Sequence, residues 1–88
     1  MAWTIEVAKS ARKQLDAIDA VSRARIVAYL ETRVLTASDP RQLATQLVGE
    51  QSVNWRYRIG DYRVVVRFED ERMVVLVVRV AHRREVYR

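Results

Sequence analysis

Two runs of alternating side chains and one nearly continuous apolar run, separated by two short turns, make up residues 53–81 of this 88-residue chain, and they leave few folds open. Val53, Trp55, Tyr57 and Ile59 share one side of the first run, with Asn54, Arg56 and Arg58 on the other, the period-two pattern of a half-buried strand. Gly60-Asp61 supplies a tight hairpin turn. From Tyr62 to Glu69 the sides are Tyr62, Val64, Val66 and Phe68 against Arg63, Val65, Arg67 and Glu69. Asp70-Glu71-Arg72 turns the chain again. Met73 to Ala81 is almost uninterrupted Val and Leu, the composition of a central strand buried on both faces.

The N-terminal half reads differently. Trp3, Ile5 and Val7 alternate with Thr4 and Glu6, which predicts a strand. Ala8 to Ile18 follows as a helix with Ala11, Leu15 and Ile18 on one face. Asp19 is a suitable N-cap for a second helix from Ala20 to about Ala37. Its apolar face is expected through Ala24 or Val27, Leu30 and Val34, with Ile26 and Leu35 flanking. Ser38-Asp39-Pro40 stops that helix. Arg41 to Ser52 is expected to be irregular, with Leu43, Leu47 and Val48 against the core. The order strand, helix, helix, three strands predicts a single domain, residues 1–88. Its fold class is α+β: two N-terminal helices packed on one face of a mostly antiparallel four-stranded sheet, β-α-α-β-β-β. The helices must cover the Trp55, Tyr57, Val64, Val66 side, so the Arg56, Arg58, Arg63 side should stay open.

The charge collects on that sheet. From Asn54 onward there are nine Arg against five acids, which accounts for +4 of the total +5. Arg keeps its charge at any relevant pH and presents a planar fork of donors that suits phosphate, so the partner expected is a polyanion, foremost nucleic acid. Other chemistries are poorly provided for. There is no Cys for a disulfide, a thiolate metal site or a Cys nucleophile, and a single His cannot build a His-rich metal site. Gly-rich phosphate loops and magnesium-holding carboxylate clusters are missing too, so neither a metal nor a cofactor is expected. No leader pattern precedes the first strand, and Met73 to Val78 is far too short to span a bilayer, so the expected setting is the cytoplasm without a membrane partner.

Arg, Tyr and one His can still cleave RNA without a metal, because RNA carries its own nucleophile, the 2′-hydroxyl. A protein has to align that hydroxyl with the phosphate and offset the charge of the transition state. It must also help protons move, which falls to Tyr or His.

Three stretches resemble the RelE branch of the RelE/ParE toxin superfamily: Ser10-Ala11-Arg12-Lys13-Gln14-Leu15, Trp55-Arg56-Tyr57-Arg58-Ile59-Gly60-Asp61-Tyr62-Arg63-Val64-Val65, and Ala81-His82-Arg83-Arg84-Glu85-Val86-Tyr87. The resemblance implies a microbial-ribonuclease-like fold and the toxin of a type II toxin–antitoxin pair. It further implies an endoribonuclease that enters the A site of the 70S ribosome, meets mRNA and rRNA there, and cuts the mRNA to a 2′,3′-cyclic phosphate and a 5′-hydroxyl. A cognate, RelB-like antitoxin would inhibit it. Residue by residue, the resemblance puts Arg56 and Arg58 where the family carries basic residues, often Lys, and Arg63 at its phosphate-binding Arg. Arg83 corresponds to a basic residue near the end of the last strand, and Tyr87 to a C-terminal Tyr that stacks on a base or moves a proton. Arg in place of Lys at 56 and 58 makes these clamps rather than proton carriers. Tyr87 and His82 then remain for proton transfer. The ParE branch, which poisons DNA gyrase on the same fold, is the alternative the resemblance carries, followed by a non-catalytic RNA- or ribosome-binding module.

Overall fold

The structure, a computed structural model, describes residues 2–49 and 52–86. Strand β1 (Thr4–Val7) leads into helix α1 (Lys9–Ala17), and helix α2 (Ala20–Tyr29) follows after a two-residue connection. A two-residue strand β2 (Thr45–Gln46), then β3 (Trp55–Ile59), β4 (Tyr62–Glu69) and β5 (Val74–His82) complete a five-stranded sheet, and a short helical turn α3 (Arg83–Val86) follows. The sheet order is β1-β5-β4-β3-β2. β1 runs parallel to β5, and every other neighbour is antiparallel. The expected α+β layering and hairpin succession are present, with one more strand than expected. The addition, β2, falls in the stretch expected to be irregular; it pairs only Thr45 with Arg56 and Gln46 with Trp55.

The local reasons are visible. Asp19 caps α2, its carboxylate accepting from the Ser22 backbone N–H at 2.9 Å, and that bond lowers the carboxyl pKa. Residues Leu30–Val34 continue α2 as a π turn, Leu35 N–H donating to the Leu30 carbonyl at 3.0 Å. The Thr32 and Thr36 hydroxyls bond back to Ala28 and Thr32 carbonyls at 2.6 Å, a habit that bends helices. The second helix is therefore shorter than the Ala20–Ala37 expected. Its buried stripe is Ile26, Leu30 and Val34, whereas Val27 is 37% exposed. Val53 and Val48, expected against the core, are exposed, because β3 begins only at Trp55.

Helices and sheet close on Ala11, Leu15, Ile26, Leu30, Val34, Tyr57, Ile59, Val64, Val66, Phe68, Val75, Val77 and Val80. Trp3 and Trp55 meet Phe68 edge to face at 6.1 and 5.6 Å, which fixes both indoles as core pieces rather than exposed base-stacking platforms. Tyr57 donates its hydroxyl to the Pro40 carbonyl at 2.6 Å, tying β3 to the 3-10 turn Pro40–Leu43, and burial pushes its phenol pKa up.

One irregularity sets the geometry of the sheet. Glu69 pairs with Val74 and Val66 with Val77, but Val65 pairs with Arg79, so Val78 is an extra residue in β5. β1 ends opposite Val77 at about the same level. Beyond it no strand among the described residues flanks the outer edge of β5, and Gln14 of α1 fills the gap: its Oε1 accepts from the Val80 N–H at 2.7 Å.

Candidate nucleic-acid interface

The side of the sheet opposite the helices carries the arginines in register. Residues paired across strands share a face. One row is therefore Arg58, Arg63 and Ala81, and the next is Thr45, Arg56, Val65 and Arg79. Arg58 and Arg63 stand directly opposite each other on adjacent strands, which places two guanidinium-bearing side chains at one spot of the face.

Arg83 arrives at the same end of the sheet. Its backbone N–H donates to the Asp61 carbonyl in the β3–β4 turn at 2.7 Å, which ties the start of α3 to the hairpin. Arg56, Arg58 and Arg63 thus share one face, the one the alternation assigned them, and Arg83, which the resemblance supplied, begins the turn that follows at the same end of the sheet. Tyr87 lies outside the described residues.

The face is not uniformly open, contrary to the expectation for Arg63. Arg58 is exposed, Arg56 half-buried, and Arg63 only 5% exposed. Arg63 sits on the middle strand of five, flanked by Arg58 and Ala81, and its Nη1 lies 3.4 Å from the Tyr62 carbonyl. Val65 beside it is also buried, with Arg56 and Arg79 on either side. Long arginine stems lie along apolar surface while their heads reach outward, so the centre of such a face is shielded by its own rim. Parity assigns a face; it does not say how deeply a group sits in it.

The bulge brings a further arginine, Arg79, to this face. Were the β4–β5 hairpin regular, Glu69–Val74 pairing would place Arg79 opposite Val64, on the helix-covered side. The extra Val78 moves Arg79 opposite Val65, onto the arginine side. The same slip turns His82 toward the helices. Its ring meets Tyr62 edge-on at 5.4 Å, and it lines a pocket with Gln14, Ala17, Ile18 and Glu85. His82 is thus separated from the Arg58–Arg63 row by the thickness of the sheet.

The other charged pairs hold the fold together. Arg41 grips Asp70 with two hydrogen bonds of 2.8 and 2.6 Å and lies over Phe68 at 4.6 Å, and the guanidinium holds the Asp70 carboxyl below its ordinary pKa. Arg72 bridges Glu69 and Glu6, tying the β4–β5 turn to β1. Among the described residues no group of His, Cys, Asp and Glu is arranged to hold a metal, and no helix is long and apolar enough to cross a membrane.

This fold is that of a known class. Residues 5–87 match the family described as ParE toxin of type II toxin-antitoxin system, parDE, so the chain belongs to that toxin family and, within the superfamily, is RelE-like. It is 27% identical to toxin RelG of Mycobacterium tuberculosis over 88 residues, all of this chain and 99% of that protein. Among solved structures it is similar to the toxin-antitoxin complex RelBE2 of M. tuberculosis, with TM-score 0.84 and 24% identity over 93% of this chain and 99% of that one. The isolated E. coli RelE toxin superposes with TM-score 0.64 and 24% identity, covering 98% and 92% of the two chains.

Proposed function

We propose that this toxin is a ribosome-dependent, metal-independent endoribonuclease that cuts mRNA in the ribosomal A site and so stops translation in the cytoplasm. The observation that carries the reading is the Arg58–Arg63 pair: two arginines directly opposite on adjacent strands, with Arg56 and Arg79 in the next row. Such an arrangement offers two planar forks of donors to a phosphate whose negative charge grows during reaction.

In the reaction, the RNA 2′-oxygen attacks the adjacent phosphorus while the bond to the 5′-oxygen of the next nucleotide breaks. The 2′-hydroxyl proton leaves to a base, the departing 5′-oxygen takes a proton, and the products are a 2′,3′-cyclic phosphate and a 5′-hydroxyl. Arg58 and Arg63 offset the charge on the phosphoryl oxygens; Arg56, Arg79 and Arg83 hold the flanking backbone. None of these guanidiniums gives up a proton readily, so each is assigned to clamping. Tyr87 is the candidate for stacking or proton transfer, and His82 is dropped from that role because it faces the helices.

The partner that restrains the toxin is a RelB-like antitoxin, by analogy with the intact E. coli RelBE toxin-antitoxin complex, which this chain resembles in fold with TM-score 0.61. The ParE name of the matching family favours a second reading, a gyrase poison. Induction of wild type beside Arg63→Ala and Tyr87→Phe, with mRNA ends mapped by primer extension, separates the two. Cuts confined to translated frames, lost without an initiation codon and reduced in the variants, are expected. Growth arrest over intact mRNA rejects the nuclease.

A further inference from the structure

A second basic site lies around the edge of the sheet. β2 pairs only Trp55 and Arg56 of β3, so no strand among the described residues flanks the outer edge of β3 at Arg58 and Ile59. Helix α2 approaches there and forms a pocket of about 410 Å³ lined by Arg25, Tyr29, Thr32, Arg33, Arg58 and Gly60 among others. No carboxylate of the described residues lines it. The Arg25 guanidinium rests against the bare Gly60 turn, its Nη1 3.2 Å from where a Cβ would stand. Arg33 lies over the Tyr29 ring at 5.8 Å. Tyr29 adds a hydroxyl beside two exposed arginines, Arg25 of α2 and Arg33 of the π turn.

We infer that this pocket binds a backbone phosphate of single-stranded RNA, and that Arg58, shared with the arginine face, makes one continuous track from the sheet onto α2. The inference deepens the nuclease reading and rests on it for the identity of the strand. Three arginine side chains around a hollow wide enough for a nucleotide fit a polyanion, and Arg forks suit phosphate oxygens. An acidic protein segment is the competing occupant. The open edge runs only from Tyr57 to Ile59, too short to template a strand addition.

The test uses 2′-O-methyl RNA, which carries phosphates but cannot be cut, with binding followed by fluorescence anisotropy across a salt series. Arg25→Ala/Arg33→Ala is expected to weaken binding about tenfold and to flatten the log–log salt slope by about 0.7 for each phosphate no longer neutralised. Arg25→Gln/Arg33→Gln should do the same, and melting curves confirm that both fold. Lys9→Ala/Lys13→Ala, which removes equal charge from exposed α1 positions, should change the slope far less. Equal losses in both pairs, no loss with the Arg25/Arg33 pair, or no binding by wild type overturns the inference. Loss of antitoxin binding with RNA binding intact assigns the pocket to the protein partner and also overturns it. Translation-dependent cleavage by wild type, assayed separately, reports on the nuclease reading: cleavage with an indifferent Arg25/Arg33 pair sinks the pocket alone, and absent cleavage with a sensitive pair sinks the nuclease alone.

Discussion

Tyr57 and Asp70 show titratable groups committed to the fold. Tyr57 is fully buried with its hydroxyl on the Pro40 carbonyl. Tyr57→Phe is expected to cost about 1–3 kcal/mol in urea unfolding, because a buried carbonyl loses its donor; an unchanged midpoint would show that water replaces the bond. Its folded-state pKa is raised by burial, so its contribution is fully present below the ordinary value of 10.0 and is lost as pH rises above it. Asp70 works in the opposite sense. Arg41 depresses its folded-state pKa, so its contribution is present above the ordinary value of 3.8 and is lost as pH falls through the lower folded value. Asp70→Asn should therefore lower Tm relative to wild type at about pH 7, with the gap closing as pH falls below the ordinary value of 3.8. A gap that is independent of pH would mean that shape, not charge, is what Asn lacks.

At the scale of elements, the strands from Trp55 to His82, both turns and the Asp19 cap were legible because period-two alternation, Gly60 and the Asp side chain act locally. Gly60 adopts φ +59, the left-handed conformation that a two-residue hairpin loop needs at its first position. What was not legible is non-local. The π turn after Tyr29 answers to packing, β2 is two residues long, and the Val78 bulge leaves no mark in a run of valines. That bulge decides which of Arg79 and His82 reaches the arginine side, so the contribution of β5 to the site depended on it. Arg56, Arg58 and Arg63 were readable because they lie in the hairpin that the turn fixes; the depth of Arg63 was not. Gln14 is expected to hold the bulge in place. Gln14→Ala should cost about 1–3 kcal/mol through the uncapped Val80 N–H, and amide exchange at Val80 should quicken. Exchange as slow as wild type would show that β5 keeps its register without the side chain.

At the scale of the whole molecule, the charge is sorted by face: apolar and aromatic groups meet the helices, arginines line the reverse of the sheet, and the acids Asp70, Glu69 and Glu6 are neutralised at the far end by Arg41 and Arg72. The row containing Arg56 and Arg79 flanks the Arg58–Arg63 pair, so Arg56→Ala/Arg79→Ala should slow cleavage by a factor on the order of ten or more while leaving Tm nearly unchanged. Arg79 as a bystander would leave the double variant no slower than Arg56→Ala alone. The most direct test of the central claim places purified toxin on 70S ribosomes programmed with a defined mRNA, in parallel with DNA gyrase and supercoiled plasmid. The account predicts one cut at the A-site codon ending in a 2′,3′-cyclic phosphate, abolished in Arg58→Ala/Arg63→Ala, with no toxin-dependent gyrase–DNA adduct. Intact mRNA together with gyrase-linked DNA breaks would contradict it.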